Sequence, residues 1–409
     1  MSTNAPHEQV IITDAMIWDG IDAGFVQRPL ILLDGLIAGA TVPGRPTRRV
    51  DGAGSWVIPG LIDAHFHAYA ISMDGLENER GPLSFAALSA SVRLKAALRR
   101  GFTTVRDVAG GDIGLRHAVD AGLFSSPRYL FTGPALSQTG GHGDPRSAEV
   151  DVCFSHGHMC EVVDGVEPLR VAVRERLRTG AHAIKVMTSG GVFSLTDPLP
   201  IPQYSAEELR AVTDEATRRG SYVTAHSYSA EAVRHSIENG VRCIEHGNLI
   251  DGATAGEMAR TGTALVPTLA AYDAMGRRGA ALGLNAVSLA KNDEVLSQGS
   301  EAAAMADHAG VLVGFGTDLM GDLEDEQLTG VRLQVAALGP DRALHSMTAA
   351  NARILRDPRL GRLTEGAHAD LVMLRENPLE HPAALWEQAA RRAVLRGGRD
   401  VEELVASMS

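Results

Sequence analysis

Short apolar runs alternate with amphipathic stretches along most of the chain, and this repeat constrains the fold more than any other feature. The apolar runs have the length and residue types of buried strands, and the stretches between them carry apolar residues at helical spacing. Glycine, which favours helix ends, follows many of these stretches. Helices are predicted at 85–100, 166–179, 206–219 and 230–239. Strands are predicted at 57–65, 102–107, 128–132, 182–187, 221–226, 241–246, 263–268 and 311–317.

Eight such βα units predict an α/β fold, a closed (β/α)8 TIM barrel, at residues 60–364. The two ends of the chain differ, because short apolar runs alternate there with turn residues, as in antiparallel strands. Chain ends often lie close together, so we predict one small β-sandwich domain built from both termini, 1–59 and 365–409. A chain of 409 residues, 44% of them hydrophobic, is large enough for both parts.

Composition argues against several kinds of partner. The formal charge is −12, from 38 basic and 50 acidic residues, without a run of Lys or Arg. We therefore expect a small-molecule substrate, no nucleic acid and no membrane partner. The three cysteines lack a Cys-x-x-Cys motif, which predicts free thiols in a reducing compartment. Residues 1–20 lack the pattern of a secretory signal, so we expect a cytoplasmic protein.

Potential metal ligands stand at the ends of the predicted strands. The first strand ends in His-x-His, and residues two apart in an extended chain point to the same side, so both imidazoles can reach one metal ion. The carboxyl ends of parallel strands meet on one face of a barrel, where such enzymes carry their active sites. The sequence therefore predicts one site from six residues: His65, His67, Lys185, His226, His246 and Asp318.

These motifs resemble the amidohydrolase superfamily, in particular its imidazolonepropionase-like and prolidase-like branch. The resemblance covers nearly the whole chain. It is carried by PGLIDAHFH at 59–67, KVMTSGGV at 185–192, His226, EHG at 245–247, GTD at 316–318, EGAHADLV at 365–372 and NPL at 377–379.

The resemblance implies a centre with two Zn²⁺ per chain. The ligands it implies are His65, His67 and Asp318 for one ion, and His226 and His246 for the other. Lys185 would be carbamylated and bridge the ions, because an ammonium has no lone pair whereas a carbamate offers two oxygens. A bridging hydroxide would attack the substrate, and Asp318 would take its proton and pass it to the leaving amine.

Two further elements are predicted to contact substrate. The loop at 139–144 resembles the part of prolidase-like enzymes that meets the substrate's carboxylate, which gives His142 a binding and catalytic role. Tyr228 is similar to a tyrosine that polarises the scissile carbonyl, and the backbone of Gly190 and Gly191 is expected to donate to the same oxygen. From the residues alone, the alternative explanation of Tyr228 is a partly buried loop tyrosine.

The predicted activity is hydrolysis of an amide bond in a dipeptide or N-acyl amino acid, including toxin or xenobiotic amides. The alternatives are a mononuclear deaminase, a cyclic-amide or carbamate hydrolase, and a barrel that has lost its metal. Lys185 argues against a mononuclear enzyme, since such relatives typically lack a lysine there, and the full ligand set argues against loss of metal. The family resemblance also implies a homo-oligomer, with an octamer among the expected states.

Other residues have simpler explanations. Asp318 alone resembles a helix N-cap, which is the commoner task of such an aspartate. The cysteines and histidines at 153–160 have the composition of a second metal site, but we expect them to be packing and loop residues. Asp107 is predicted to be structural, with hydrogen bonds near the barrel rim.

Overall fold

The computed structural model describes residues 8–21, 24–194 and 197–402, so the outermost parts of both predicted terminal segments lie outside the described residues. The strands are β1 (Gln9–Thr13), β2 (Met16–Ile17), β3 (Val26–Gln27), β4 (Leu30–Leu33), β5 (Leu36–Ala38), β6 (Thr47–Asp51), β7 (Trp56–Pro59), β8 (Leu61–Phe66), β9 (Phe102–Asp107), β10 (Arg128–Phe131), β11 (Ala135–Ser137), β12 (Cys160–Val162), β13 (Ile184–Met187), β14 (Val223–Ser229), β15 (Cys243–Leu249), β16 (Ala264–Val266), β17 (Leu371–Leu374), β18 (Arg391–Arg396) and β19 (Arg399–Asp400).

The α-helices are α1 (Gly75–Arg80), α2 (Leu83–Arg99), α3 (Ile113–Asp120), α4 (Val166–Arg178), α5 (Ala206–Arg218), α6 (Ala230–Glu238), α7 (Gly252–Thr261), α8 (Leu269–Arg278), α9 (Ala286–His308), α10 (Gln327–Leu338), α11 (Pro340–His345) and α12 (Asn351–Ile354). The four helices predicted from the sequence are α2, α4, α5 and α6, with ends that agree within two residues. As predicted, glycines follow them in the left-handed region, for example Gly101 at φ +97° and Gly240 at φ +96°. No helix in the described part of the chain is long and apolar enough to cross a bilayer.

Two parallel sheets form the centre of the molecule, one ordered β10-β9-β8 and the other β12-β11-β13-β14-β15-β16. On one side of them His182 N donates to Phe131 O at 2.8 Å. On the other side the segment 311–317 lies between β8 and β16, with Ala64 N donating to Phe315 O at 2.9 Å and Gly314 N donating to Leu265 O at 2.7 Å. The α/β fold with parallel strands is therefore confirmed. The strands form two separate parallel sheets and not one continuous ring of paired strands. The structure therefore does not show the closed barrel that the sequence predicts.

The predicted strand 57–65 is two strands, β7 and β8, which belong to different sheets. Gly60 separates them, and its N–H donates to Asp370 O at 2.9 Å. A β-carbon at Gly60 would lie 2.0 Å from Oγ1 of Thr103, so a larger residue does not fit without a shift. The break is hidden in the sequence because almost every residue of both strands is buried, which gives one unbroken apolar run.

The predicted strand 311–317 is not assigned as a strand, and only the bridge between Val313 and Leu265 remains there. The side chain of Asn351 makes bonds that a strand partner would otherwise make: its Nδ2 donates to Phe315 O at 2.8 Å, and its Oδ1 accepts from Phe315 N at 3.1 Å. Gln334 likewise donates to Gly314 O at 2.9 Å. Side chains from outside the sheet therefore add to the backbone bonds that this segment makes with β8 and β16.

The third predicted strand, 128–132, is β10, and β11 and β12 were not predicted. Gly133, at φ +71°, and Pro134 separate β10 from β11. Proline has no N–H to donate to a neighbouring strand, so the pairing of β10 with β9 ends at this point. After the break, β11 pairs with β13. The strands β11 and β12 are three residues each, too short for their pattern to indicate a strand.

The two ends of the chain form two further sheets, ordered β5-β4-β1-β6 and β19-β18-β17-β7-β2-β3. In the second sheet β17, from near the C-terminus, pairs antiparallel with β7, from near the N-terminus, with Val372 opposite Ile58. One apolar cluster contains Ile12 and Leu32 of the first sheet and Val57 and Met373 of the second. Both termini therefore contribute to one sheet.

We predict that Gly60→Ala lowers the free energy of unfolding by about 1–3 kcal/mol, because the new methyl group collides with the branched side chain of Thr103. Gly256→Ala is the matched control, since a β-carbon there meets nothing within 4 Å and α7 gains helix propensity. The measurement is the midpoint of chemical denaturation of both variants. A Gly60→Ala midpoint equal to that of the parent protein would contradict the tight packing at this position.

Candidate metal site

The six predicted ligand residues line one cavity of about 650 Å³. Four belong to strands of the parallel sheets: His65 to β8, Lys185 to β13, His226 to β14 and His246 to β15. Asp318 follows the extended segment 311–317, and its side chain is 15% exposed. The five others are at most 7% exposed. The structure therefore brings together all six residues, although Asp318 does not follow a regular strand.

Asp318 lies at the centre of the group. Its Oδ1 is 3.2 Å from Nε2 of His65 and 2.8 Å from Nε2 of His67, and its Oδ2 is 3.7 Å from Nδ1 of His246. Ligand atoms of His65, His246 and Asp318 all lie within 4.8 Å of one another, close enough to hold one ion. Asp318 and His246 both have left-handed backbones, at φ +56° and +74°, which is costly for residues other than glycine and is concentrated at functional sites.

His226 and Lys185 complete the group. The His226 ring lies 4.5 Å from the His246 ring, and its Nε2 donates to Gly190 O at 3.1 Å, which leaves Nδ1 for another partner. Nζ of Lys185 makes no hydrogen bond to any described residue, and the side chain is only 2% exposed. Burial lowers the pKa of Lys185, because an unpaired ammonium is poorly stabilised away from water.

The protonation states suit a divalent metal ion. Burial lowers the pKa values of His67, His226 and His246, so these rings are neutral and carry a free lone pair. Burial alone would raise the pKa of Asp318, but His65 and His67 outweigh it and hold the pKa well below the usual range. Nδ1 of His67 is buried and has no hydrogen-bond partner among the described residues. Burial by itself would lower the pKa of His65, but the carboxylates of Asp318 and Glu245 raise it. Three neutral imidazoles near an ionised carboxylate are donors typical of zinc sites, and these residues fit such an ion.

A buried Arg106–Glu245 pair, which the sequence analysis did not assign, orients His65. Nδ1 of His65 donates to Oε2 of Glu245 at 2.7 Å, so its Nε2 faces Asp318. Glu245 Oε1 accepts from Nη2 of Arg106 at 2.6 Å and from the hydroxyl of Thr224. A carboxylate behind a histidine fixes the ring and raises its basicity as a ligand. The available signal was the presence of charged residues in two predicted strands, Arg106 and Asp107 in 102–107 and Arg242 and Glu245 in 241–246.

Arg106 is fully buried, and each of its three guanidinium nitrogens donates a hydrogen bond. Its Nε donates to Ala64 O at 2.6 Å, and its Nη1 donates to the hydroxyl of Tyr222 at 3.0 Å. Arg106 and its neighbours hold the pKa of Glu245 well below the usual range, although burial by itself would raise that pKa. Glu245 is therefore ionised.

Two buried carboxylates near the site, Asp63 and Asp107, accept hydrogen bonds from residues of neighbouring elements. Oδ2 of Asp63 accepts from the Thr317 hydroxyl at 2.5 Å and from Nε2 of Gln327 at 3.0 Å, which ties β8 to the segment that carries Asp318. Burial raises the pKa of Asp63 to about 6. Asp107 accepts from the Tyr129 hydroxyl at 2.7 Å, in line with its predicted structural role.

Two of the predicted substrate contacts, His142 and Tyr228, line the cavity. His142 stacks on His226 with ring centroids 4.1 Å apart, and burial lowers its pKa to about 3, so the ring is neutral. The Tyr228 hydroxyl lies 2.9 Å from that of Tyr272, a residue that the sequence analysis missed. The Tyr272 hydroxyl is also 2.8 Å from Nδ1 of His246. No recognisable motif surrounds Tyr272 in the sequence.

Gly190 and Gly191 lie directly behind these rings. The carbonyl of Gly190 accepts from His226, and a β-carbon at Gly191 would lie 2.1 Å from the His142 ring. Neither is among the described residues that line the cavity, which include Val192 next to them. Both positions require glycine for close packing, and donation from their backbone to a substrate stays a prediction.

The cysteines and histidines at 153–160 do not come together as a cluster. His158 donates to Gly81 O at 2.8 Å, while His156 is exposed and lies 3.6 Å from Glu161. All three cysteines of the chain are free thiols, and Cys153 is exposed. The packing interpretation of this segment agrees with these contacts.

Comparisons with known proteins extend this description. Residues 56–401 match the family model described as the amidohydrolase family. Ochratoxinase from Aspergillus niger is 33% identical over 368 residues, which cover 84% of this chain and 75% of that protein. Imidazolonepropionase from Anaeromyxobacter dehalogenans is 25% identical over 87% of this chain and 83% of its own. A crystal structure of a prolidase complexed with N-methylphosphonate-L-proline is 39% identical, with a TM-score of 0.91 over 96% of this chain and 99% of that one.

We predict that Arg106→Met destabilises the protein by about 3–5 kcal/mol, because it leaves Glu245 as an uncompensated buried charge. The affinity for zinc should fall by about 10–100-fold, since His65 loses its fixed carboxylate partner. Denaturation and zinc titration measure the two effects. The double variant Arg106→Met/Glu245→Gln should be more stable than Arg106→Met alone, and a double variant that is less stable would show that charge pairing is not the cause.

Proposed function

This chain belongs to the amidohydrolase family and is a hydrolase of amide carbon–nitrogen bonds, and we propose that its substrate is a dipeptide or an N-acyl amino acid with a free carboxylate. The observation that carries the proposal is the cavity, whose lining combines the candidate metal site, polar groups on the 142–146 loop and ten apolar side chains that form its apolar wall. A prolidase and an ochratoxinase among the similar proteins support a peptide or related amide as the substrate.

The cofactor we propose is a pair of Zn²⁺ ions bridged by carbamylated Lys185. His65, His67 and Asp318 would hold one ion, and His226 and His246 the other. Four imidazoles, a carboxylate and a lysine are too many donors for one four-coordinate zinc. The lowered pKa and the missing hydrogen-bond partner of Lys185 support carbamylation, because only a neutral amine adds to CO₂, with loss of one proton. A mononuclear site made of His65, His246 and Asp318 would leave this buried amine without a role.

Zinc bound at this site supplies Lewis acidity, which activates water at neutral pH. The ionised carboxylate of Asp318, 3.2 Å from Nε2 of His65, would accept the proton of the attacking water and deliver it to the leaving amine. The Tyr228 hydroxyl, held by Tyr272, donates to the carbonyl oxygen as negative charge develops there. The neutral ring of His142 contacts the substrate through an N–H, and the backbone of Gly190 and Gly191 assists at the carbonyl.

The apolar wall of the cavity suggests what the acyl part of the substrate is. It contains several flexible methionine side chains, which adapt to irregular shapes. The wall consists of Met73, Leu76, Val150, Met159, Val192, Phe193, Met275, Leu282, Leu284 and Met320. Burial of an apolar or aromatic acyl group there contributes roughly 25 cal/mol of favourable free energy for each Å² of apolar surface removed from water. We therefore include toxin and xenobiotic amides in the substrate class.

We also propose that the two parallel sheets are parts of one (β/α)8 barrel at 60–364, and that the two terminal sheets form a β-sandwich from 1–59 and 365–409. The backbone bonds between the parallel sheets and the apolar cluster shared by the terminal sheets support this organisation. A small-molecule substrate, a homo-oligomer and a cytoplasmic location remain proposals from the sequence. The free thiols agree with a reducing compartment.

The metal content tests the proposed centre. Protein grown with zinc and bicarbonate should contain two equivalents of zinc per chain by elemental analysis. Lys185→Gln should contain one equivalent or less, because its amide cannot form the carbamate, whereas Lys95→Gln on α2 should keep two. One equivalent in the parent protein would contradict the binuclear centre and favour the mononuclear alternative.

A substrate screen tests the activity. The zinc-loaded enzyme should hydrolyse dipeptides and N-acetyl amino acids, with the highest kcat/KM for those with apolar acyl groups. Asp318→Asn should lower kcat by about 100-fold or more, because the amide cannot accept a proton. Asp341→Asn, an exposed aspartate paired with His345, should leave kcat unchanged. Absence of hydrolysis across the panel by fully loaded enzyme would overturn this choice of substrate.

A further inference from the structure

We propose that Arg146 receives the substrate's carboxylate and thereby sets the preference for free-acid substrates. This inference rests on the proposed function and names the charged group that the function requires. Arg146 lies two residues beyond the loop at 139–144 and lines the same cavity as His142 and the candidate ligands.

The charges in the cavity lead to this residue. A carboxylate that leaves water is costly unless it meets a charged or strongly polar partner. Among the described residues that line the cavity, only Lys185 and Arg146 have cationic side chains, and Lys185 lies within the candidate metal site. His142 stacks on the ring of the candidate ligand His226, with ring centroids 4.1 Å apart, so it lies against the candidate metal site. Arg146 is the cation that remains.

The guanidinium of Arg146 is held in a defined orientation. Its Nε and Nη2 donate to Oδ1 and Oδ2 of Asp144 at 2.8 and 2.6 Å, a two-point contact between planar groups. The Asp144 side chain is 3% exposed and is anchored by the backbone N–H of Gly140 at 3.0 Å. The side chain of Arg146 is 26% exposed, and its Nη1 makes no hydrogen bond to a described residue. One edge of the fork is therefore free and preorganised.

The ion pair with Asp144 does not exhaust the binding capacity of Arg146. A guanidinium has five N–H donors, and Asp144 uses two of them on one edge. The Asp144 carboxylate also accepts from the backbone N–H groups of Gly140 and Arg146, which share its negative charge. The other edge, with Nη1, can donate hydrogen bonds to a second carboxylate in the same planar geometry. Asp144 therefore orients the Arg146 guanidinium and acts on the substrate only as a positioning residue.

The inference predicts a change in KM that depends on the substrate's charge. Arg146→Gln should raise KM for the best free-acid substrate of the screen by about 10–100-fold, since a hydrogen bond to a charged group is lost. The KM for the C-terminal amide of the same substrate should change by less than about threefold, because it carries no anion. The kcat values should remain close to the parent values, as the contact is made before and during reaction. Both constants are measured on zinc-loaded enzyme.

Two further variants make the result specific. Arg146→Lys, which keeps the charge but not the fork, should give a KM between those of the parent and Arg146→Gln. Arg178→Gln, which breaks a surface pair with Glu175, should leave both KM values unchanged. An equal rise in KM for acid and amide, or no rise at all, would overturn the role of Arg146 and leave amide hydrolysis intact. Enzyme that cleaves no amide of the panel would instead overturn the proposed function itself.

Discussion

The buried ion pair between Arg106 and Glu245 is the interaction on which the rest of the centre depends. It lies between β9 and β15, and both side chains are completely excluded from solvent. Such a pair adds little stability against an apolar alternative, but loss of one partner is severe because the other charge remains buried. Here Glu245 also holds His65, which faces Asp318. The pair therefore links the folded core to the candidate ligands.

The cavity combines a base built from paired strands with a rim built from loops. Four candidate ligands, His65, Lys185, His226 and His246, come from strands whose backbone is held by neighbouring strands. His142 and Arg146 come from a connection after β11, where the contacts are mainly side chain to backbone. Lys291 donates to the carbonyls of Gly191 and Ser194 and so fastens a second loop of the rim. This division suits an enzyme in which a rigid site performs the chemistry and loops choose the substrate.

The amino-acid sequence was enough for the fold class, the helices and the family. Hydrophobic periodicity and glycine spacing predicted α2, α4, α5 and α6, because amphipathic helices must bury one face wherever they pack. The amidohydrolase family and amide hydrolysis followed from motifs at strand ends, and the comparisons confirm both. The six candidate ligands were named from the same motifs, and their approach to one another follows from the parallel order of the strands.

Only the tertiary structure revealed the partners that lie far apart in the chain. At Gly60, where β7 and β8 separate, the backbone packs against Thr103, and in the segment 311–317 the side chain of Asn351 bonds to the backbone. Arg106, Tyr272 and the free edge of Arg146 are likewise defined by contacts across the fold or by the shape of the cavity. A sequence pattern records which face of an element is buried, since that depends on local periodicity. It does not record which polar group meets which, because those distances are set only when the elements pack.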